Sequence, residues 1–342
     1  MSTKSELQST VEVLLQSGKG ILAADESSPT IAKRFQAIGV ESTPATRNAY
    51  RTLLLSTDGL GDYISGVILF EETLAQWADD GTPLPQLATR QGIVPGIKVD
   101  AGKIPLAHAP GDDITQGLDG LAKRLDAYKQ QGARFAKWRA VYNVSDVLPS
   151  RLAVNANAEL LARYAAICQE LGVVPIVEPE VLIDSDHTIE RCAEVTETVL
   201  HQVFHALHRH RVVFEHLLLK PSMVVPGKLR ARQATPAHVA AQTIRILRRA
   251  VPVAVPGIFF LSGGQTPVEA TANLDAINRW HPPQPWQLRF SYGRALQETA
   301  LSAWKGQGIN AIAAQNALLQ RARLNCAACQ GKYSADMESP GV

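Results

Sequence analysis

Val173-Val174-Pro175-Ile176-Val177-Glu178-Pro179-Glu180 is a short apolar run that ends in two carboxylates. It follows a stretch of helical period, Asn157–Leu171, that stops at Gly172. A glycine just past a periodic segment supplies the left-handed turn that closes a helix, and a short apolar run beyond it reads as a buried strand. Working outward, the same alternation recurs along the whole chain. The other runs are Gly20–Asp25, Ser65–Phe70, Gly92–Val99, Ala133–Arg139, His216–Lys220, Gly257–Ser262 and Gln287–Ser291. Helical stretches lie between them. Gly117–Gln131 carries Leu118, Leu121, Leu125 and Tyr128 on one stripe and stops at Gly132.

Helix starts are marked by a Ser or Thr cap followed by proline at Ser28-Pro29, Thr43-Pro44, Thr235-Pro236 and Thr266-Pro267, the last with Glu269 placed for a capping box. Eight runs, each followed by a helix, predict an α/β fold: a parallel sheet closed on itself, a (β/α)8 TIM barrel. The alternative, an open doubly wound sheet, lacks the glycine fingerprint of its dinucleotide-binding version after the first run. At 342 residues the length suggests about two domains, but barrels of this size are single units. No linker-like change of composition interrupts the chain. The reading is one barrel domain over 1–333 and a short flexible C-terminal tail over 334–342.

Composition excludes several classes. With 46% hydrophobic and 19% charged residues the chain is neither disordered nor fibrous. A net charge of +2 gives no electrostatic case for nucleic acid or an anionic membrane. The polar start Met1-Ser2-Thr3-Lys4 does not read as a signal peptide, and no run is long enough to span a bilayer. Cys168, Cys192, Cys326 and Cys329 lack the spacing of a disulfide scaffold, so a reducing cytoplasm is expected.

Charge gathers where a barrel carries its chemistry, at the C-terminal ends of the strands. The first run ends in Asp25, the third in Lys98, the fourth in Lys137 and Arg139, the fifth in Glu178 and Glu180, and the sixth in Lys220. Strand side chains alternate faces, so Lys137 pairs in parity with Arg139, and Glu178 with Glu180. Ion pairs that merely plug the mouth are the structural alternative. Buried pairs are weak evidence for stability, however, and so many of them at the functional rim point to an active site. Lys220 lies between Leu217-Leu218-Leu219 and Met223-Val224-Val225. Desolvation and neighbouring lysines both free an amine to attack a carbonyl and form an iminium, with Glu178 and Glu180 as proton carriers. Lys137 and Lys98 stay open as alternative nucleophiles.

A second signal concerns anions. Leu261-Ser262-Gly263-Gly264-Gln265 follows the seventh run, and Ser291-Tyr292-Gly293-Arg294 the eighth. Barrel phosphate sites are commonly built from these two loops, and Arg294 adds a planar fork. The Asp25-Glu26-Ser27-Ser28 turn, with Lys33 and Arg34 in the helix it opens, suits a second phosphate.

These segments resemble class I fructose-bisphosphate aldolase. The resemblance rests on Gly20-Ile21-Leu22-Ala23-Ala24-Asp25-Glu26-Ser27, Gly66-Val67-Ile68-Leu69-Phe70, Gly96-Ile97-Lys98-Val99-Asp100 and Phe135-Ala136-Lys137-Trp138-Arg139. It continues through Val177-Glu178-Pro179-Glu180, Leu218-Leu219-Lys220-Pro221, both glycine loops and Cys329-Gln330-Gly331-Lys332-Tyr333. It implies metal-independent, cofactor-free, reversible cleavage of fructose 1,6-bisphosphate to dihydroxyacetone phosphate and glyceraldehyde 3-phosphate. By the same resemblance Lys220 is the Schiff-base lysine and Glu178 the main acid/base, with Glu180 and Lys137 tuning protons and Asp25 orienting substrate hydroxyls. Ser262, Gly263, Gly293 and Arg294 would hold the C1 phosphate. Ser27, Arg34 and Lys98 would serve the other phosphate, with Arg139 lining the site. A homotetramer is also implied.

Two departures stand out. Thr30 occupies the place of a phosphate-contacting serine in the family's turn, and the chain ends at Val342 rather than at the tyrosine that folds over the site in many members. A weaker catalytic part for the tail is expected. Four rival readings exist. His201, His205 and His208 have metal-ligand spacing and raise a zinc-dependent aldolase, but they lie opposite the stripe Val195, Val199, Val203 and Leu207, as a solvated face does. Cys326-Ala327-Ala328-Cys329 is a lone CxxC without a second pair. A catalytically silent scaffold would have lost part of the lysine and glutamate set, and a transaldolase-like enzyme would not need two phosphate ends.

Overall fold

The computed structural model describes residues 2–339. Eight parallel strands close into a barrel: β1 (Gly20–Ala24), β2 (Ile64–Leu69), β3 (Val94–Lys98), β6 (Phe135–Tyr142), β7 (Val174–Val181), β8 (Leu218–Leu219), β9 (Gly257–Phe260) and β10 (Gln287–Tyr292). They run round the barrel in chain order, and β10 closes on β1 through Ile21↔Ser291 and Leu22↔Tyr292. This is a TIM barrel and a single domain. Two short strands, β4 (Lys103–Pro105) and β5 (Asp113–Thr115), form an antiparallel hairpin after β3 that the sequence pattern did not reveal. Thr115 Oγ1 ties the hairpin to the barrel by donating to the Arg139 carbonyl at 2.8 Å.

Alternation along the strands divides the lumen into two storeys. Ile21 and Ala23 of β1, Phe135 of β6, Val174 and Ile176 of β7, and Leu218 of β8 pack into one internal apolar cluster. Two residues further along the same faces stand Asp25, Lys137, Glu178 and Lys220. The parity that buries the apolar floor therefore aims the charged groups inward above it. The opposite faces meet the helices, as where buried Trp138 stacks at 5.6 Å on Tyr164. The floor is closed from below by the first helix, Thr3–Leu14, whose Leu7, Val11 and Leu14 join the internal cluster. Glycine makes room there: a Cβ on Gly66 would stand 2.5 Å from Leu14 Cδ2.

The helix-start signals hold at Thr43, Thr235 and Thr266, each a cap that accepts from the backbone, with the Thr266–Glu269 capping box formed. At the first signal the cap is Ser27 instead of Ser28, and it makes no capping bond. Its Oγ shares a hydrogen bond with Thr30 Oγ1 at 3.1 Å. The sixth strand is only two residues long, because Phe214–His216 winds into a 3-10 turn ahead of it. The stretch read as a mobile tail from Ser334 forms a 3-10 turn over Ala335–Glu338, and Glu338 meets both Arg321 and the Tyr333 hydroxyl. Residues 340–342, the rest of that tail, lie outside the described residues.

Leu14 fills the barrel floor without any solvent exposure. Leu14→Ala is expected to cost about 2–5 kcal/mol in urea unfolding. Ile309→Ala, at a site 90% exposed, is expected to stay within about 0.5 kcal/mol.

Candidate active site

Four charged side chains form a continuous chain in the upper storey. Lys220 Nζ lies 3.0 Å from Glu178 Oε1, and Lys137 Nζ lies 3.1 Å from the other oxygen of the same carboxylate. Lys137 also contacts Asp25 Oδ2 at 2.8 Å and faces Asp100 Oδ2 at 3.9 Å. The group is withdrawn from water: Lys137 and Lys220 are 3% exposed and Glu178 4%. Backbone register sets these contacts. Lys137 stands beside Lys98 across β3 and β6, Arg139 stands beside Glu178 across β6 and β7, and Lys220 N–H donates to the Val177 carbonyl at 2.8 Å. Nearer the rim, Arg139 pairs with Glu180.

Burial alone would neutralise these groups, and the neighbours prevent it. Burial pushes the Asp25 carboxyl up, but Lys137, Lys220 and Lys98 outweigh it and hold that group far below the usual carboxylate range. Glu178 behaves alike: burial raises it, while Lys137, Lys220 and Arg139 pull it below its ordinary value. For Lys137, burial acts downward, but Asp25, Glu178 and Asp100 win and keep its ammonium well above the usual lysine value. Glu178 is thus an ionised acceptor that touches two lysines at once.

The two anion loops stand at the same rim. Gly263 and Gly264 adopt φ +54° and +91°, a left-handed pair that favours glycine. Their N–H groups donate to no backbone carbonyl among the described residues, and so remain free for an anion. Arg294 opens the helix Arg294–Trp304, and its Nη2 would be 3.1 Å from a Cβ on Gly264. Arg34 is split between two neighbours: Nη1 pairs with Glu26, and Nη2 would lie 3.8 Å from a Cβ on Gly293. Arg34 therefore adjoins the Gly293 turn as well as Glu26. Lys98 is anchored by Asp100, contacting Oδ1 at 2.7 Å and donating to its carbonyl at 2.6 Å.

Asp25, Lys137, Glu178 and Lys220 are brought into direct contact, Arg139 and Glu180 pair beside them, and Ser262, Gly263, Gly293 and Arg294 border the adjoining loops. The sequence reading singled out no role for Asp100 or Glu26. Asp100 accepts from the Arg139 N–H at 3.3 Å in addition to anchoring Lys98. Glu26 is buried between Arg34 and Arg51, with Arg51 at 2.6 Å and Gln297 Nε2 at 2.9 Å. Each stands beside a residue that was noticed, but only contacts across strands and loops give it a task. The helix Ile189–Arg209 leaves His201, His205 and His208 exposed on its outer face. In the CxxC, both thiols are buried and free. Burial pushes Cys329 up to about 12, leaving little thiolate for redox or metal chemistry.

Fold and site together define a barrel enzyme with a buried amine among carboxylates and a glycine-rich, cationic rim. The family described as fructose-bisphosphate aldolase class-I matches residues 6–341. A chloroplastic fructose-bisphosphate aldolase of Oryza sativa subsp. japonica is 54% identical over 98% of this chain and 85% of its own length. Human fructose-bisphosphate aldolase C is 52% identical over 99% of this chain and 93% of its own. A solved fructose-bisphosphate aldolase of Plasmodium falciparum, in complex with TRAP and a small-molecule inhibitor, superposes with a TM-score of 0.96 at 50% identity, covering 97% of this chain and 96% of that one. The chain belongs to the class I fructose-bisphosphate aldolases, lyases of glycolysis and gluconeogenesis.

The lowered Asp25 and Glu178 stabilise the fold above the ordinary carboxylate range and lose that effect as pH falls through their folded values. The raised Lys137 contributes below the ordinary lysine value and is lost only as pH climbs through its folded one. Asp25, Glu178 and Lys137 are therefore charged around neutrality. Lys137→Met would leave two buried carboxylates short of a cation, at a cost of about 3–5 kcal/mol near pH 7. Urea unfolding should show that cost shrinking toward pH 4–5, where the orphaned carboxylates can take up protons.

Proposed function

We propose that Lys220 is the amine that bonds covalently to the ketose in an aldolase cleaving fructose 1,6-bisphosphate. The observation that carries this reading is the 3.0 Å contact between Lys220 Nζ and Glu178, whose second oxygen is held by Lys137. Lys220 passes a proton to Glu178, and the freed amine attacks C2 of the ketose. The C–N bond forms while the carbonyl oxygen takes up a proton. Glu178 then protonates that hydroxyl as it departs as water, leaving an iminium. When the C4 hydroxyl loses its proton to a carboxylate, the C3–C4 bond breaks toward the iminium, which stores the electron pair as an enamine. Glyceraldehyde 3-phosphate leaves, C3 regains a proton, and water releases dihydroxyacetone phosphate from Lys220.

Asp25, held by Lys137, orients the substrate hydroxyls in this reading, while Glu180 and Arg139 set the charge at the rim. Ser262, Gly263, Gly293 and Arg294 take the C1 phosphate, supported by the free glycine N–H groups. Ser27, Arg34 and Lys98 take the far phosphate. Thr30 keeps a hydroxyl at the family's serine position, 3.1 Å from Ser27 Oγ. A homo-oligomer, tetrameric by family resemblance, belongs to the same reading. The strongly exposed Val147 and Leu229, 81% and 74%, are apolar surface for a neighbour to cover. A reducing compartment such as the cytoplasm suits the four free buried thiols.

Borohydride reduction in the presence of dihydroxyacetone phosphate, followed by peptide mass mapping, is expected to mark Lys220. An adduct elsewhere, or none, would overturn the assignment. Lys220→Met should remain folded and lose cleavage by at least about three orders of magnitude. Deleting residues 334–342 should lower turnover only moderately, since these residues include no tyrosine. Abolished turnover in that variant would show the tail to be essential.

A further inference from the structure

Lys228 sends its side chain across the rim to the glycine loop. A Cβ on Gly264 would stand 2.6 Å from both Lys228 Cε and Nζ, on the same spot that Arg294 Nη2 approaches to 3.1 Å. Two cations thus converge on one glycine whose own N–H is free, an arrangement that is repulsive unless an anion sits between them. Arg294 forms no ion pair among the described residues. Lys228 has one partner, Asp184 at 3.0 Å, but that pair is open to water, with the two side chains 39% and 69% exposed. An exposed pair of this kind is weak enough to exchange for a doubly charged anion.

The reach of Lys228 is built by its backbone. Gly227 N–H donates to His187 O at 2.9 Å, Lys228 N–H to Ile183 O at 2.8 Å and Leu229 N–H to Ser185 O at 3.1 Å, pinning the loop stem to the segment after β7. A Cβ on Gly227 would stand 2.0 Å from Ser185 O, so no other residue lets the two loops lie this close.

We propose that Lys228 is a further substrate-binding residue, a second cation that leaves Asp184 to clasp the phosphate held by the Gly263–Gly264 turn and Arg294. The inference rests on the aldolase reading of that turn as the C1-phosphate site. It makes Asp184 a holding partner that competes with substrate, and this separates phosphate binding from a plain surface ion pair. Removing either member of a structural pair has the same effect. Removing a phosphate ligand or its competitor has opposite effects.

The test compares Lys228→Met with Asp184→Asn in the full chain. Lys228→Met is expected to raise KM for fructose 1,6-bisphosphate, and the inhibition constant of inorganic phosphate, by about fivefold, the scale of one partly exposed charge contact. Its kcat should change much less. Asp184→Asn is expected to leave both constants unchanged or lower them. Unchanged constants in Lys228→Met, or equal weakening in both variants, would overturn the proposal. Borohydride trapping of dihydroxyacetone phosphate on Lys220 distinguishes the two levels. If trapping persists while Lys228→Met binds normally, only the role of Lys228 falls. If wild-type protein gives no Lys220 adduct, the aldolase reading falls and this inference with it.

Discussion

One carboxylate shared by two lysines is the constraint on which the rest of this molecule turns. Glu178 presents one oxygen to Lys220 and the other to Lys137, deep in a barrel that admits little water. Any one of these charges alone would be too costly to bury, and none could be removed without stranding its neighbours. Asp25 completes the balance by taking the far side of Lys137. The same arrangement keeps a proton acceptor ionised within reach of an amine, which the first step of iminium formation requires. In the proposed reaction, charge compensation and proton transfer share one geometry.

That geometry is held by a barrel whose lumen is apolar below and ionic above. Ile176 and Glu178 lie on one face of β7, as do Phe135 and Lys137 on β6, so each strand carries its own transition from packing to chemistry. The apolar storey, sealed from beneath by Leu7, Val11 and Leu14, fixes strand positions that the charged storey then inherits.

The anion rim follows a different logic. Its contacts come from loops and helix starts rather than from strand faces, and it relies on what is missing: Cβ atoms at Gly263, Gly264 and Gly293. Free backbone N–H groups and long cationic side chains approach one another there because glycine permits it. Glu26 and Asp100 work behind this rim, the first holding Arg34 between buried partners and the second holding Lys98. Both fix where a cation stands at the rim, and in the proposed reading that is where the far phosphate binds.

Sequence by itself determined the barrel, the charged strand ends and the shared parity of Lys137 with Arg139 and of Glu178 with Glu180, because period-two alternation and capped helices are local properties of consecutive residues. It also brought out Ser262-Gly263-Gly264 and Arg294, because glycine at a strand end has a local meaning. It misplaced the cap of the Ser28–Gln36 helix by one residue, at Ser27, whose side chain makes no capping bond. It overran β8, which a 3-10 turn cuts to two residues. Only the tertiary structure decided that Glu178 is divided between two lysines, that Asp100 anchors Lys98, that Glu26 is clamped by Arg34 and Arg51, and that Lys228 overhangs Gly264. Those relations join residues from different strands and loops. Their distances are set by barrel closure and loop packing, which no local pattern records.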